Sequence, residues 1–334
     1  PIRVGFAGLD ITGVPLATAL FNCVSFLVPV FMLWILVADL KKEKAHFWEA
    51  LPFAVWAGIA FVVPSVLTVF LGQEFPSILG AIIGIFLVFI TTKLKIFVPK
   101  NCRSFSSGER VGEVLPLFKV LFPYGFLIFL LIAGKFLIGS AGIIIPFAKH
   151  TLSFYNPGFA FLIAGILAVF LGNRKKNALM LSVKTAFKRS IEPFGVIVFM
   201  SAMVQLMINS GKNFSGLPSS LETIAKAFEN PYLPFFAPII GAFGSFITGS
   251  ATVSNIMFGP LLNTAAIVVK VSSAKILSLG LVGAAAGNMI ALADMLAAET
   301  VVGLKNEESQ IIKRIIFPCG LYVFLVGLVG FLLT

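Results

Sequence analysis

The apolar residues of this chain come in long blocks, several of them matching the thickness of a lipid bilayer, and that spacing limits the possible folds more than any other feature. The blocks run at about 14–38, 51–72, 75–98, 117–138, 158–172, 193–210, 233–247, 256–269, 276–302 and 315–333. About 20 consecutive apolar residues are needed for a helix to cross the hydrocarbon core. The blocks do not follow the amphipathic period of soluble helices. The chain is 58% hydrophobic and only 12% charged, whereas a soluble domain carries roughly 25% charged residues. The expected fold is therefore an all-α polytopic membrane protein, with 1–334 a single transmembrane domain and no separate soluble part. Its apolar surface makes the lipid bilayer the first partner.

A net charge of +11 would suggest nucleic acid in a soluble protein. Here the basic residues sit in short loops between apolar blocks, where they orient the chain in the membrane, so a nucleic-acid partner is not expected. Loop 39–50 carries three (Lys41, Lys42, Lys44) and the turn at 73–74 none. Loop 99–116, with its flanks, carries six, loop 139–157 with Lys135 two, loop 173–192 six and loop 211–232 two. This alternation predicts that 39–50, 99–116 and 173–192 are cytoplasmic. The basic loop holding Lys305, Lys313 and Arg314 should be cytoplasmic too. That parity works if 233–269 is a re-entrant hairpin entering and leaving from the outer side, followed by a crossing at 276–302; one crossing more or fewer would invert it. Arms 233–247 and 256–269 are too short to cross, which fits.

Several chemistries are excluded. There is no phosphate-binding G-x-x-x-x-G-K-[ST] loop, no H-E-x-x-H and no nucleophile elbow. Cys23, Cys102 and Cys319 are scattered, and His46 and His150 are lone loop residues, so no metal site can be assembled. The chain reads as a non-enzyme, and no cofactor is implied. It opens at Pro1, with neither an initiator Met nor a signal-peptide pattern. We read it as a fragment whose N-terminal portion is missing.

Two stretches carry the chemistry. The first is Thr248-Gly-Ser-Ala-Thr-Val-Ser-Asn255, between the two half-length arms. Backbone that leaves the helix at membrane depth must be buried in protein or line a cavity. Freed N–H groups and half-helix N-termini there attract anionic groups. Thr248, Ser250, Thr252, Ser254 and Asn255, with Gly249 between them, add neutral donors suited to a carboxylate and a hydroxyl. An ordinary outer loop between two short helices would carry the same residues. The second is Gly280 to Glu299. On one continuous helix, Gly280, Gly283, Gly287 and Asp294 fall within about 60° of one another, setting a groove of glycines in line with a carboxylate. An acid at mid-membrane is costly and usually faces a water path or a partner, so Asp294 is expected to look into the tip cavity with a raised pKa. Glu299 points the other way, toward Lys305 or the interface. The pairs Gly80/Gly84 and Gly283/Gly287 also suit close helix packing.

At these stretches the sequence resembles the L-lactate permease family. That family carries a Thr-Gly-Ser-Asp-Thr-Ser-Ser-Asn type motif, here Thr248 to Asn255, with Phe258-Gly259 next. Asn209-Ser210-Gly211, Gly287-Asn288-Met289, Val302-Gly303-Leu304, Gly72-Gln-Glu-Phe-Pro76 and Val98-Pro-Lys-Asn101 are similar to other family segments. Ala251 stands in place of the usual Asp and Asn288 in place of the usual Lys, while Asp294 and Glu299 stand where the family is normally uncharged. The resemblance implies a proton-coupled importer of lactate or glycolate, with re-entrant hairpins in inverted repeats, and places Pro1 inside the family's first Gly/Pro-rich motif.

The expected function is uptake of L-lactate or a related monocarboxylate such as glycolate by H⁺ symport across the plasma membrane, of bacterial inner-membrane type. Thr248, Gly249, Ser250, Thr252, Ser254, Asn255, Gly287, Asn288 and Met289 would hold the carboxylate, and Asp294 would carry the proton. A homo-oligomer is compatible with the sequence. The rivals are a transporter of another organic anion or an uncharged solute, or a membrane component inactive by itself.

Overall fold

The computed structural model describes residues 6, 9–39, 44–73, 75–99, 117–138, 142–145, 150–153, 157–171, 176–227, 230–302 and 307–334. Lys41, Lys42, Cys102, Lys175, Lys305 and most of loop 99–116 lie outside these residues. Helices dominate. In chain order they are α1 (Val14–Phe21), α2 (Val28–Asp39), α3 (Lys44–Thr68), α4 (Phe75–Lys93), α5 (Leu117–Ala133), α6 (Pro157–Leu171), α7 (Lys176–Asn209), α8 (Ser220–Ala227), α9 (Leu233–Thr248), α10 (Ala251–Val269), α11 (Ser273–Gly287), α12 (Leu292–Val302) and α13 (Glu308–Leu333). Among the described residues, seven helical stretches are long and apolar enough to cross a membrane. The 139–157 loop holds one short antiparallel pair, β1 (Gly142–Ile145) with β2 (His150–Ser153), Ile143 opposite Leu152. The sequence reading did not expect it.

Three boundaries differ from that reading, each for a local reason. The basic stretch 173–192, expected as a loop, is helical from Lys176 onward. It holds neither Gly nor Pro, so charge alone does not stop the helix, and Pro193 lies inside it. The arm expected at 256–269 begins at Ala251 and is 19 residues long, which is sufficient to span. The crossing expected at 276–302 is interrupted. Helix α11 stops at Gly287, a 3₁₀ turn covers Asn288–Ile290, and Ala291 is extended at φ −72°, ψ 130° before α12 starts.

The chain divides into two compact units, residues 1–102 with 195–334, and residues 103–194. The second contains the α5–α6 pair and the β-hairpin. In the first, α11 is the central element. Eleven of its fifteen residues are buried, from Ile276 to Gly287, the pattern of a helix enclosed on all sides. Its Ser278 hydroxyl is within hydrogen-bond distance of the Val14 carbonyl at the start of α1 (3.0 Å) and of its own Ala274 carbonyl (2.6 Å). The other faces of the unit reverse the soluble pattern: Leu36, Phe86, Phe199 and Leu332 are all exposed. Large apolar side chains on the outside suit a surface that meets lipid rather than water.

Contact between α9 and α11 depends on glycine. A methyl group on Gly283 would collide with the Pro238 carbonyl oxygen of α9. Backbone therefore meets backbone, as small residues allow in membrane helices. The glycines at 283 and 287 act as the small-residue pairing suggested, but their face is filled by α9 and forms no open groove.

Candidate functional site

Helices α9 and α10 form a hairpin with a two-residue link. Gly249 closes α9 in the left-handed region (φ 65°), its N–H donating to the Ser245 carbonyl at 2.8 Å. That conformation costs a side-chain-bearing residue what it does not cost glycine. Ser250 then opens α10 as an extended N-cap, its Oγ accepting from the Val253 amide at 3.3 Å. A left-handed stop followed at once by a serine cap reverses the chain with minimal unwinding. The polar stretch expected to be unwound from 248 to 255 is thus mostly helical, because Ser250 caps Ala251 onward.

The polar groups of the tip divide into two sets. Thr248 Oγ1 donates to the Gly244 carbonyl at 2.8 Å, and Ser254 Oγ to the Gly241 carbonyl at 2.8 Å across the hairpin. Their protons are engaged within the protein. Ser254 is fully buried, so it acts as a tie between the two arms. The second group remains available. The first amides of α10, at Ala251 and Thr252, have no carbonyl behind them, as at any helix start. Asn255 is 3% exposed, and its Nδ2 has no hydrogen-bond partner among the described residues. Helical side chains lean toward the N-terminus, which brings the Asn255 amide over the turn that bears Ala251 and Thr252. Unpaired donors thereby gather at the positive end of a helix dipole, an arrangement suited to an anion.

Asn288 belongs to the same neighbourhood. The fully buried Ser245 hydroxyl of α9 lies 2.5 Å from both the Ala284 carbonyl and Asn288 Oδ1. This links one hairpin arm to the break that follows α11. Ser245 was missed by the sequence reading; a lone serine in an apolar arm beside Gly241 and Gly244 was the available signal. Gly287 is packed against Ala242 of α9, and Met289 is exposed. The hairpin tip also reaches α12, where a methyl on Gly249 would stand 3.0 Å from the Ala293 methyl.

Asp294 does not share a surface with the glycines. The shared face assumed one helix from 280 to 294, and the interruption at 288–291 resets the helical register. The glycine face is covered by α9, while the Asp294 side chain is exposed, one residue beyond the Ala293 contact. Glu299 lies beside the start of the 305–314 stretch. It is 3% exposed, and its Oε1 accepts from the Glu307 amide at 3.1 Å. Lys305, its expected partner, lies outside the described residues.

Seven stretches of membrane-spanning length among the described residues, with a helix pair reversing at a polar tip, define a multi-pass α-helical membrane protein. The sequence profile of the L-lactate permease family matches residues 4–138 and 115–334, and the chain belongs to that family; with its apolar helices and bacterial permease relatives it is a multi-pass protein of the plasma membrane. It is 28% identical to a provisionally assigned L-lactate permease of Haemophilus influenzae, over 91% of this chain and 62% of the relative. It is 24% identical to a glycolate permease of Escherichia coli, over 92% of this chain and 62% of the relative. An L-lactate permease of Escherichia coli is 25% identical, over 91% of this chain and 61% of the relative. The chain thus spans about three-fifths of the length of the curated relatives it matches. No solved structure matches it.

Proposed function

We propose that the chain serves uptake of a small 2-hydroxy monocarboxylate, L-lactate or glycolate, across the plasma membrane, and that the carboxylate binds at the α10 N-terminus. The observation that carries this reading is the buried, unpartnered Nδ2 of Asn255, four residues after the start of α10. A buried donor without a partner is unfavourable, and a carboxylate oxygen removes the deficit. Relatives named for lactate and glycolate give the substrate class. Thr252, whose hydroxyl stands in the first turn, and Asn288 complete the polar set, and Thr248 and Ser254 hold the arms in register. In this reading 233–269 is the re-entrant substrate hairpin. Asp294, next to the residue that touches Gly249, carries the coupled proton. The test is uptake of labelled L-lactate into proteoliposomes, with and without a proton gradient. Glycolate, a dicarboxylate and an uncharged analogue serve as competitors. Competition by glycolate and L-lactate alone supports the proposal, whereas equal competition by the uncharged analogue overturns carboxylate recognition.

A further inference from the structure

Away from the hairpin, a cavity of about 240 Å³ lies between α1 with its following 3₁₀ turn (Asn22–Leu27), α3 and the turn leading into α4. Thr18, Asn22 and Ser25 line it from one side at helical spacing, and Ser65, Gln73 and Ser77 from the other. Two of its polar groups are already satisfied. The Ser65 hydroxyl is 2.9 Å from both the Phe61 and Pro76 carbonyls, and Asn22 Oδ1 accepts from the Tyr322 hydroxyl at 3.0 Å. Two are not. Thr18 Oγ1 and Gln73 Oε1 are both shielded from solvent and without a partner among the described residues.

The chemistry of this deficit narrows the ligand. Gln73 Oε1 can only accept, and Thr18 Oγ1 can accept or donate, so the missing partner is one that supplies hydrogens. The lining has no charge among its described residues, so a carboxylate or an ammonium would lose its hydration there without a counter-charge. The volume is several times the roughly 30 Å³ that one water occupies in the liquid, room for a molecule of several heavy atoms. We propose that this cavity is a second binding site, separate from the hairpin, for a small uncharged solute bearing hydroxyl groups. One hydroxyl hydrogen reaches Gln73 Oε1, and the Thr18 hydroxyl accepts from or donates to a second hydroxyl.

The test uses the whole chain with Cys23, Cys102 and Cys319 replaced by alanine and a reporter introduced by Ser25→Cys. The rate of its modification by a small methanethiosulfonate is measured with 1,2-propanediol present, and separately with 1,2-dimethoxyethane, which is of comparable size but has no hydroxyl hydrogens. The diol is expected to slow modification by the factor 1 + [L]/Kd, about threefold at twice its Kd, and the ether to leave it unchanged. Gln73→Leu in the same background should abolish the protection, and Thr18→Ser, which keeps the hydroxyl, should retain it. Ser77→Cys provides the same readout if Ser25→Cys does not yield folded protein. Equal protection by the ether, no protection by the diol, or protection that survives Gln73→Leu overturns the proposal and leaves a cavity filled by water. Lactate uptake at the hairpin is read independently of all these outcomes.

Discussion

The Ser245 hydroxyl on α9 lies 2.5 Å from Oδ1 of Asn288, the residue at which α11 gives way to a 3₁₀ turn. The same hydroxyl is 2.5 Å from the Ala284 carbonyl. One proton serves one acceptor at a time, so Ser245 is the shared member of a small network inside a helix–helix contact. Ser245→Ala removes one hydrogen bond from the half-buried Asn288 and one from the Ala284 carbonyl, which keeps its backbone donor, and should cost about 0.5–1.5 kcal/mol. Unfolding of the detergent-solubilised chain measures this. No measurable loss would mean that Asn288 is held by other contacts.

Asn255 gives a prediction about substrate rather than stability. Its Nδ2 has no partner among the described residues, so Asn255→Ala removes a donor without orphaning a protein acceptor. Hydrogen bonds to charged groups contribute about 1.5–3 kcal/mol, which corresponds to a rise of about 10- to 150-fold in the KM for lactate. Asn255→Asp places a second carboxylate against the substrate's own and should abolish uptake. Transport assays on chains of matched abundance decide it, and an unchanged KM in Asn255→Ala removes Asn255 from the site.

Gly283 and Gly320 test the packing argument as a pair. A methyl at Gly283 meets the Pro238 carbonyl, whereas one at Gly320 meets nothing within 4 Å. Gly283→Ala should therefore destabilise by about 1–3 kcal/mol through overpacking. Gly320→Ala should be neutral or gain up to about 1 kcal/mol of helix propensity. Thermal melting of the two variants side by side distinguishes a specific contact from a general preference for glycine.

Asp294→Asn mimics the permanently protonated acid at nearly equal volume. If Asp294 carries the coupled proton, accumulation of lactate against its gradient should be lost, while exchange of internal for external lactate persists. Glu299→Gln should be much milder, since the replacement keeps an acceptor for the Glu307 amide. Normal accumulation by Asp294→Asn would leave it as a surface acid at the start of α12.

Much of the architecture was legible because bilayer thickness fixes helix length, and the apolar blocks report that length directly. The hairpin was legible in outline, since Gly249 and Ser250 are the residue types that stop one helix and start the next. The length of α10 was not. Thr252, Ser254 and Asn255 lower the local hydropathy, so residues that belong to the helix read as a loop. The interruption at 288–291 was also hidden. No proline marks it, and the Ser245–Asn288 contact that accompanies it joins residues 43 apart in the chain. A wheel drawn through that break put Asp294 on a face it does not share. The two cavity groups Thr18 and Gln73 are brought together only by the packing of α1, α3 and α4.

The backbone contact between α9 and α11 has a mechanical consequence. Where glycine lets one main chain rest on another, no flexible side chains lie between them to absorb sliding, and interfaces packed in this way shift in discrete steps. Helix α9 and the second half of α11, from Gly280 to Gly287, are thereby expected to move together. The Ser254 hydroxyl bond to the Gly241 carbonyl is then the tie that α10 would have to give up to move relative to that pair.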